Sequence, residues 1–218
     1  MIWRRVYTGV WKQDYRRLVD ISTVVCENPK FIFFMVPKTA TISIYHGYLK
    51  INYETLNKRY NAISWGKWKK CLTFEEFKSY PKFSIVRNPW DRVVSLYSYF
   101  TQTKKLRNKW KYDVPFFDDF VENFFRYCNS RKDLKNHATP CHYYTHYKGK
   151  KFVDYIGKFE NLNEDINSIF KRVGIKPTKL PVRNNSFRMK YQNYYTDRTR
   201  MLVKQYYKQD IELFGYKF

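Results

Sequence analysis

The sequence predicts an α/β fold in which a parallel sheet is flanked by helices. Two short apolar runs, "FIFFMV" at 31–36 and "KFSIV" at 82–86, are typical of strands that are buried on both faces. A helical pattern follows each run, and strands that alternate with helices indicate a sheet covered by helices. The chain has 218 residues, 44% of them hydrophobic, which suits a single domain with a full core.

Both helices that follow these runs begin close to a strand end. The first is predicted from about Thr41 to Tyr60, with Ile44 and Ile51 on its apolar face. The second, "WDRVVSLYSYF", has Asn88 as its cap and Pro89 at its first position.

The rest of the chain is predicted to alternate in the same way. The segment "VPFFDDFVENFFRYC" indicates an amphipathic helix, and "ATPCHYYTHYKGKKFVDYIGKF" indicates a loop with one or two strands. A helix in "NLNEDINSIFKRVGI" is expected to end at Gly174, because glycine suits a left-handed cap. The last helix is predicted to begin after a Thr196 cap, to reach about Leu213 and to end at Gly215.

Composition narrows the class of protein. The formal net charge of +23 indicates either an anionic partner or substrate, or a solvated lysine-rich surface. The basic residues form no block typical of a nucleic-acid arm. Four distant cysteines without a CxxC pair disfavour zinc and a disulfide framework. The first 20 residues have no apolar stretch of signal or anchor length, so we expect a cytoplasmic protein without a membrane partner.

The loop "VPKTATIS" after the first run is the first candidate anion site. In α/β sheets, ligands bind beyond the carboxyl ends of strands, where helix N-termini point at them. Lys38 supplies a charge there, and Thr39, Thr41 and Ser43 supply hydroxyl groups. A nucleoside-triphosphate loop has the pattern GxxxxGK[ST], so a lysine that comes first and an absence of glycine disfavour ATP or GTP. An ordinary strand–helix connection is the alternative.

The segment "VRNPWDRVVSLY" is the second candidate anion site. Arg87 stands at a strand end and Ser95 lies in the following helix, so both can reach towards the helix N-terminus, where the dipole favours an anion. Arg92 is more simply explained as a brace that pairs with a carboxylate. Two separate anion sites in one domain imply a ligand with two phosphates set apart.

Both segments resemble the nucleotide-binding motifs of sulfotransferases. "VPKTATIS" is similar to the family's 5′-phosphosulfate loop, PK[ST]-[GA]-x-T-[ST], and "VRNPWDRVVSLY" is similar to its 3′-phosphate element, in which arginine and serine have the same separation. "YIGKFENLNEDINSIFKRVGI" and the C-terminal 39 residues resemble the closing segments of the carbohydrate-type group. The resemblance runs from about Phe31 to Phe218 and implies a P-loop-NTPase-like fold.

The resemblance also implies the ligand and its contacts. The donor would be 3′-phosphoadenosine 5′-phosphosulfate, without a metal, and the acceptor a saccharide or another hydroxyl compound. Lys38 would neutralise charge on the oxygen between phosphorus and sulfur, while Arg87 and Ser95 would hold the 3′-phosphate. The 5′-phosphate would be held by backbone N–H groups of Thr39, Ala40, Thr41, Ile42 and Ser43. A loop that closes over the nucleotide would contain Asn184, Ser186 and Arg188.

The family pattern divides the chain into four regions. Residues 1–30 would be an N-terminal extension, 31–100 the donor-binding core, 101–150 a variable acceptor-side insert, and 151–218 the closing segments. This sequence departs from the pattern at Ile42, where threonine is common, and at Ala40, where many members have glycine.

The third departure concerns the general base, which takes a proton from the acceptor hydroxyl. Many relatives have a histidine shortly before the second strand, and the corresponding stretch "CLTFEEF" has Cys71, a thiol that is mostly protonated at neutral pH. The base therefore stays unassigned, with five weak candidates: His46, Glu54, Glu75, Glu76 and His142.

Four functional hypotheses remain. The first is a sulfotransferase that acts on a hydroxyl, as on a glycan, and the second is a non-catalytic relative that binds the nucleotide but has lost its base. A nucleotide or sugar kinase is disfavoured because the Gly-Lys loop is absent. A nucleic-acid binder is favoured only by charge and aromatic content.

Overall fold

The fold comprises two compact groups of residues between which the chain passes several times. The computed structural model describes residues 23–27, 29–44, 47, 74–102, 116–128, 137–177, 179–180 and 189–218. The first unit contains Met1–Val36, Ala40–Val86 and Tyr143–Pro181, and the second contains Pro37–Thr39, Arg87–His142 and Val182–Phe218. The single domain and its four regions therefore stay predictions.

The first unit is built on a four-stranded mixed sheet. The described strands are β1 (Thr23–Glu27), β2 (Lys30–Phe34), β3 (Lys82–Val86), β4 (His146–Tyr147), β5 (Lys150–Lys151) and β6 (Tyr155–Lys158). In the sheet order β1-β2-β3-β6, β2, β3 and β6 run parallel, whereas β1 pairs antiparallel with β2. The two predicted buried strands are confirmed. The predicted parallel sheet holds for β2, β3 and β6, whereas β1, from the segment 1–30 treated as an extension, makes the sheet mixed.

The helices largely follow the predicted pattern. The described α-helices are α1 (Thr41–Ile44), α2 (Phe74–Ser79), α3 (Pro89–Gln102), α4 (Phe117–Cys128), α5 (Leu162–Arg172), α6 (Asp197–Tyr206) and α7 (Lys208–Phe214). Most of the helix predicted for 41–60 lies outside the described residues. None of the helices in the described ranges is long and apolar enough to cross a membrane.

The predicted C-terminal helix is interrupted at Tyr207. Thr196 caps α6 as predicted, since its hydroxyl accepts a hydrogen bond from the Thr199 amide. Tyr207 leaves the helical backbone (φ −104°, ψ 23°), and its buried hydroxyl donates to the Ala138 carbonyl at 2.8 Å. Gly215 ends α7 with φ +65°, as the sequence predicts. A tertiary hydrogen bond therefore accompanies a break that no local residue signals.

Aromatic packing holds α5 against the sheet. Phe33 and Phe83 on neighbouring strands stack with ring centroids 4.7 Å apart, and Phe170 of α5 packs edge-on against Phe83 at 5.4 Å. Such pairs contribute about 0.5–1.5 kcal/mol beyond the burial of their area. Gly174 ends α5 with φ +80°, and the amide of the next residue, Ile175, donates to the Phe170 carbonyl. The predicted cap is therefore confirmed.

The second unit has its own apolar core. Trp90 and Val93 of α3 cluster with Phe120 of α4 and with Val203 of α6. The indole N–H of Trp90 donates to the Arg200 carbonyl at 3.1 Å, which ties α3 to α6. This core fixes the start of α3, where the second candidate anion site lies.

Gly157 in β6 allows the close approach of α5, and an added methyl group is expected to destabilise the protein. A Cβ at this position would lie 2.6 Å from the Ile85 Cδ1 atom and 3.0 Å from the Asp165 Cβ atom. Gly157→Ala should lower the free energy of unfolding by about 1–3 kcal/mol, the cost of overpacking. Urea denaturation measures the change. Ser168→Ala on the exposed face of α5 is the control, and equal midpoints for both variants would contradict this packing.

Candidate functional site

The loop between β2 and α1 has an unusual backbone. Lys38 and Ala40 have φ angles of +69° and +59°, which place two L-residues in the left-handed region. This conformation costs about 1–2 kcal/mol per residue, so contacts elsewhere must hold it. A φ angle that changes sign along successive residues is typical of backbone whose N–H groups converge on an anion.

Two arginines of the second unit hold consecutive carbonyls of this loop. Arg87 donates from Nη1 to the Lys38 carbonyl at 2.7 Å, and Arg92 donates from Nε to the Pro37 carbonyl at 3.1 Å. Charged donors make hydrogen bonds that are about twice as strong as neutral ones. These two bonds therefore oppose the strain at Lys38.

Arg92 is almost completely buried, with 1% of its surface exposed. Its Nη2 atom donates to the carbonyls of His137 and Thr139, both at 2.9 Å, and its Nη1 atom lies 3.7 Å from the Cys141 sulfur. Burial raises the pKa of the Cys141 thiol to about 12, so a neutral thiol faces the guanidinium. Arg92 therefore braces the start of α3 through carbonyl groups, and its predicted pairing with a carboxylate stays a prediction.

The start of α3 has the predicted cap. The Asn88 side-chain oxygen accepts hydrogen bonds from the amides of Trp90 and Asp91, and Pro89 occupies the first helical position. Arg87, just before the cap, forms an ion pair with Asp91 at 2.7 Å, and its side chain is 4% exposed. An anion at Arg87 would therefore share the guanidinium with Asp91.

Lys38 extends along one face of α3. Asp91, Ser95 and Tyr99 are four residues apart, so their side chains share that face, and Ser95 is half-buried. The Lys38 ammonium lies 4.1 Å from the centre of the Tyr99 ring, a cation–π contact, while its carbonyl accepts from Arg87. Lys38, Arg87 and Ser95, three predicted site residues, therefore lie on one side of α3.

The remaining predicted residues of the loop belong to the first unit. The Thr41 hydroxyl donates to the Val36 carbonyl at 3.1 Å, and the Ile44 amide donates to the Ala40 carbonyl at 3.0 Å. Ser43 is buried, whereas the Ile42 side chain is 51% exposed. Thr39, assigned to the second unit, is fully buried.

Comparison with known proteins identifies the family. The sequence profile of the sulfotransferase family matches residues 22–217, nearly the whole chain. The chain belongs to the sulfotransferase family. It is also 34% identical over 119 residues to an uncharacterized protein of Archaeoglobus fulgidus, an alignment that covers 50% of this chain and 80% of that protein. No solved structure gives a significant match.

The family gives the loop conformation a direct meaning. Ala40 stands where many sulfotransferases have glycine, and its φ of +59° is a conformation that glycine adopts without steric cost. No cluster of three or more metal-ligating side chains occurs in the part of this sulfotransferase that the structure describes.

Three of the five candidate bases can be placed. His142 is buried, and its Nδ1 atom lies 2.7 Å from an Asp210 carboxylate oxygen. The same carboxylate accepts hydrogen bonds from the backbone amides of Cys141 and His142. Asp210 therefore fixes both the ring and the backbone of His142. Glu75 is exposed on α2 and lies 3.9 Å from Lys78, and the half-buried Glu76 is on the same helix. His46 and Glu54 lie outside the described residues, as do Cys71, Asn184, Ser186 and Arg188.

Sequence reasoning misses several residues around Lys38. The ion pair of Arg87 with Asp91 could have been predicted from their spacing of four residues at the start of α3. The same spacing predicts the common face of Ser95 and Tyr99. The contact of Arg92 with Pro37 joins residues 55 positions apart, and no local pattern signals it.

Arg92→Lys is expected to destabilise this sulfotransferase strongly. One ammonium group cannot reproduce the planar guanidinium that reaches the carbonyls of Pro37, His137 and Thr139, and each buried carbonyl that loses its donor costs about 1–3 kcal/mol. Urea denaturation should show a loss of about 3 kcal/mol or more. Arg198→Lys, at a 76% exposed side chain, is the matched control. A loss no larger than that of the control would disprove the bracing role.

Proposed function

We propose that this sulfotransferase transfers a sulfuryl group from 3′-phosphoadenosine 5′-phosphosulfate to a hydroxyl group of a saccharide. The observation that carries the proposal is the environment of Lys38. Its left-handed backbone is held by Arg87, and its ammonium extends along α3 to Tyr99. A lysine fixed in this way can stabilise charge that develops on a leaving oxygen without rearrangement.

Each part of the donor has proposed contacts. Lys38 and the backbone N–H groups of residues 39–43 would bind the 5′-phosphosulfate, while Arg87 and Ser95 would bind the 3′-phosphate. The ion pair between Arg87 and Asp91 keeps the guanidinium in place before the donor arrives. The segment with Asn184, Ser186 and Arg188 would close over the nucleotide. These contacts, the P-loop-like character of the fold and the single-domain organisation rest on the family resemblance.

The proposed reaction is an in-line displacement at sulfur. The acceptor oxygen forms a bond to sulfur while the bond from sulfur to the phosphate oxygen breaks. The products are a sulfate ester, 3′-phosphoadenosine 5′-phosphate and the proton of the hydroxyl group. Lys38 would stabilise the negative charge on the departing phosphate oxygen.

The acceptor class is supported by charge. A formal charge of +23 attracts anionic ligands from a distance, and both the donor and an acidic saccharide are anionic. The segment 101–150 would supply the acceptor contacts, because loops on a shared scaffold carry specificity. We also propose that the protein belongs to the carbohydrate-type group and is cytoplasmic.

Binding of the donor product tests the ligand class. 3′-Phosphoadenosine 5′-phosphate at 100 times its dissociation constant should stabilise the protein by about 2.7 kcal/mol, which corresponds to a rise in Tm of roughly 5–10 °C. ATP and AMP at equal concentration should give much smaller shifts, because neither carries a 3′-phosphate. Thermal-shift measurements compare the three ligands. Equal stabilisation by AMP would contradict the assignment of Arg87 and Ser95, and preference for ATP would favour a kinase.

The role of Lys38 is tested by removing its ammonium group. Lys38→Ala should lower the turnover of sulfuryl transfer by about 10²–10³, the scale for loss of one group that stabilises a developing charge. Binding of 3′-phosphoadenosine 5′-phosphate should fall much less. Lys204→Ala, at an exposed position of α6, is the control for a lost lysine. Wild-type turnover in the Lys38 variant would refute the proposed role, and donor binding without any transfer in the wild type would support the non-catalytic relative.

A further inference from the structure

His137 and the Lys38 ammonium both lie close to one aromatic ring, that of Tyr99. The centre of the His137 ring is 6.0 Å from the centre of the Tyr99 ring, and the Lys38 ammonium is 4.1 Å from that same centre. Because both distances are measured to the same ring centre, the imidazole centre lies at most about 10 Å from the ammonium. The imidazole also packs edge-on against Phe100 at 5.9 Å.

The backbone of His137 is held by the same guanidinium that holds the Lys38 loop. Arg92 donates to the His137 carbonyl at 2.9 Å and to the Pro37 carbonyl at 3.1 Å. Because one rigid planar group bonds to both segments, a displacement of either would break a charge-assisted hydrogen bond. The backbone of His137 is therefore held in place relative to that of Pro37, the residue before Lys38.

The geometry points to His137 as the general base of sulfuryl transfer, an inference that rests on the proposed function. An imidazole suits this role, because its ordinary pKa of about 6.5 lies close to neutral pH. His137 is part-exposed and its Nδ1 atom is buried, so we assign the role to Nε2. His142, one of the two histidines among the sequence-based candidates, is instead fixed to the buried Asp210.

The distance suits the proposed reaction. The leaving oxygen, the sulfur and the attacking oxygen lie in line, with Lys38 at one end and the base at the other. Contacts of about 3 Å between successive groups add up to a separation close to this upper limit. As the new oxygen–sulfur bond forms, the O–H bond of the acceptor breaks and its proton passes to His137. The bond from sulfur to the phosphate oxygen breaks at the other end, where Lys38 stabilises the charge.

Removal of the imidazole and its replacement from solution test the inference. In His137→Ala, kcat for sulfuryl transfer from 3′-phosphoadenosine 5′-phosphosulfate should fall by about 10²–10⁴, with little change in donor KM. Transfer is followed as sulfate ester formed on a panel of saccharides and as inorganic sulfate released to water. Added imidazole should restore part of the lost rate, because a base in solution can occupy the vacated space. Gln205→Ala, at an exposed position of α6 outside the segment 101–150, should keep the wild-type kcat.

Binding of 3′-phosphoadenosine 5′-phosphate separates the possible failures. If this nucleotide stabilises the variant as it does the wild type, a loss of kcat is not due to a damaged donor site. Should His137→Ala unfold, His137→Gln retains a polar side chain of similar size and should show the same loss of kcat.

Several outcomes would overturn the inference. A wild-type kcat in the variants would show that another group accepts the proton, and a reduced kcat that imidazole leaves unchanged would reduce His137 to a packing residue. Either result leaves the proposed function standing. A wild-type protein that binds the nucleotide but transfers nothing to saccharide or water would refute the catalytic proposal and His137 with it. A wild-type protein that the nucleotide does not stabilise would refute the donor assignment itself.

Discussion

The buried guanidinium of Arg92 is the group on which the candidate site depends. A guanidinium has five N–H donors in one plane, and burial without partners would cost several kcal/mol. Arg92 meets this requirement with the carbonyls of Pro37, His137 and Thr139, which come from two segments distant in the sequence. The hydrogen bonds that make its burial tolerable also hold the backbone next to Lys38. Stability of the second unit and geometry of the site are therefore coupled through one side chain.

The same coupling explains how strained backbone persists at the candidate site. Lys38 and Ala40 adopt left-handed conformations that an isolated chain would populate rarely. Arg87 and Arg92 offset the strain at Lys38 by donating hydrogen bonds to the carbonyls of Lys38 and Pro37. The ion pair with Asp91 keeps Arg87 in position. The site is thus preorganised by charge-assisted hydrogen bonds, which suits an enzyme that must stabilise a developing charge without rearrangement.

Local patterns were sufficient for much of the fold. The apolar runs that became β2 and β3, the Asn88 cap and the Gly174 terminus follow from residues within a few positions of each other. The edge strand β1 and the break at Tyr207 were missed, because each depends on a partner outside its own segment. The carbonyl partners of Arg92 were missed for the same reason, since they are 45 to 55 residues away.

By itself, the sequence determined the class of fold, the family motifs and several helix ends, because these are encoded by residue types at short spacing. Lys38, Arg87 and Ser95 were predicted as site residues on this basis. Only the tertiary structure decided how Lys38 is held, which carboxylate pairs with Arg87, and that the Lys38 ammonium and His137 both lie against Tyr99. Such contacts join segments that fold towards each other to bury apolar surface, and the resulting distances cannot be read from spacing along the chain.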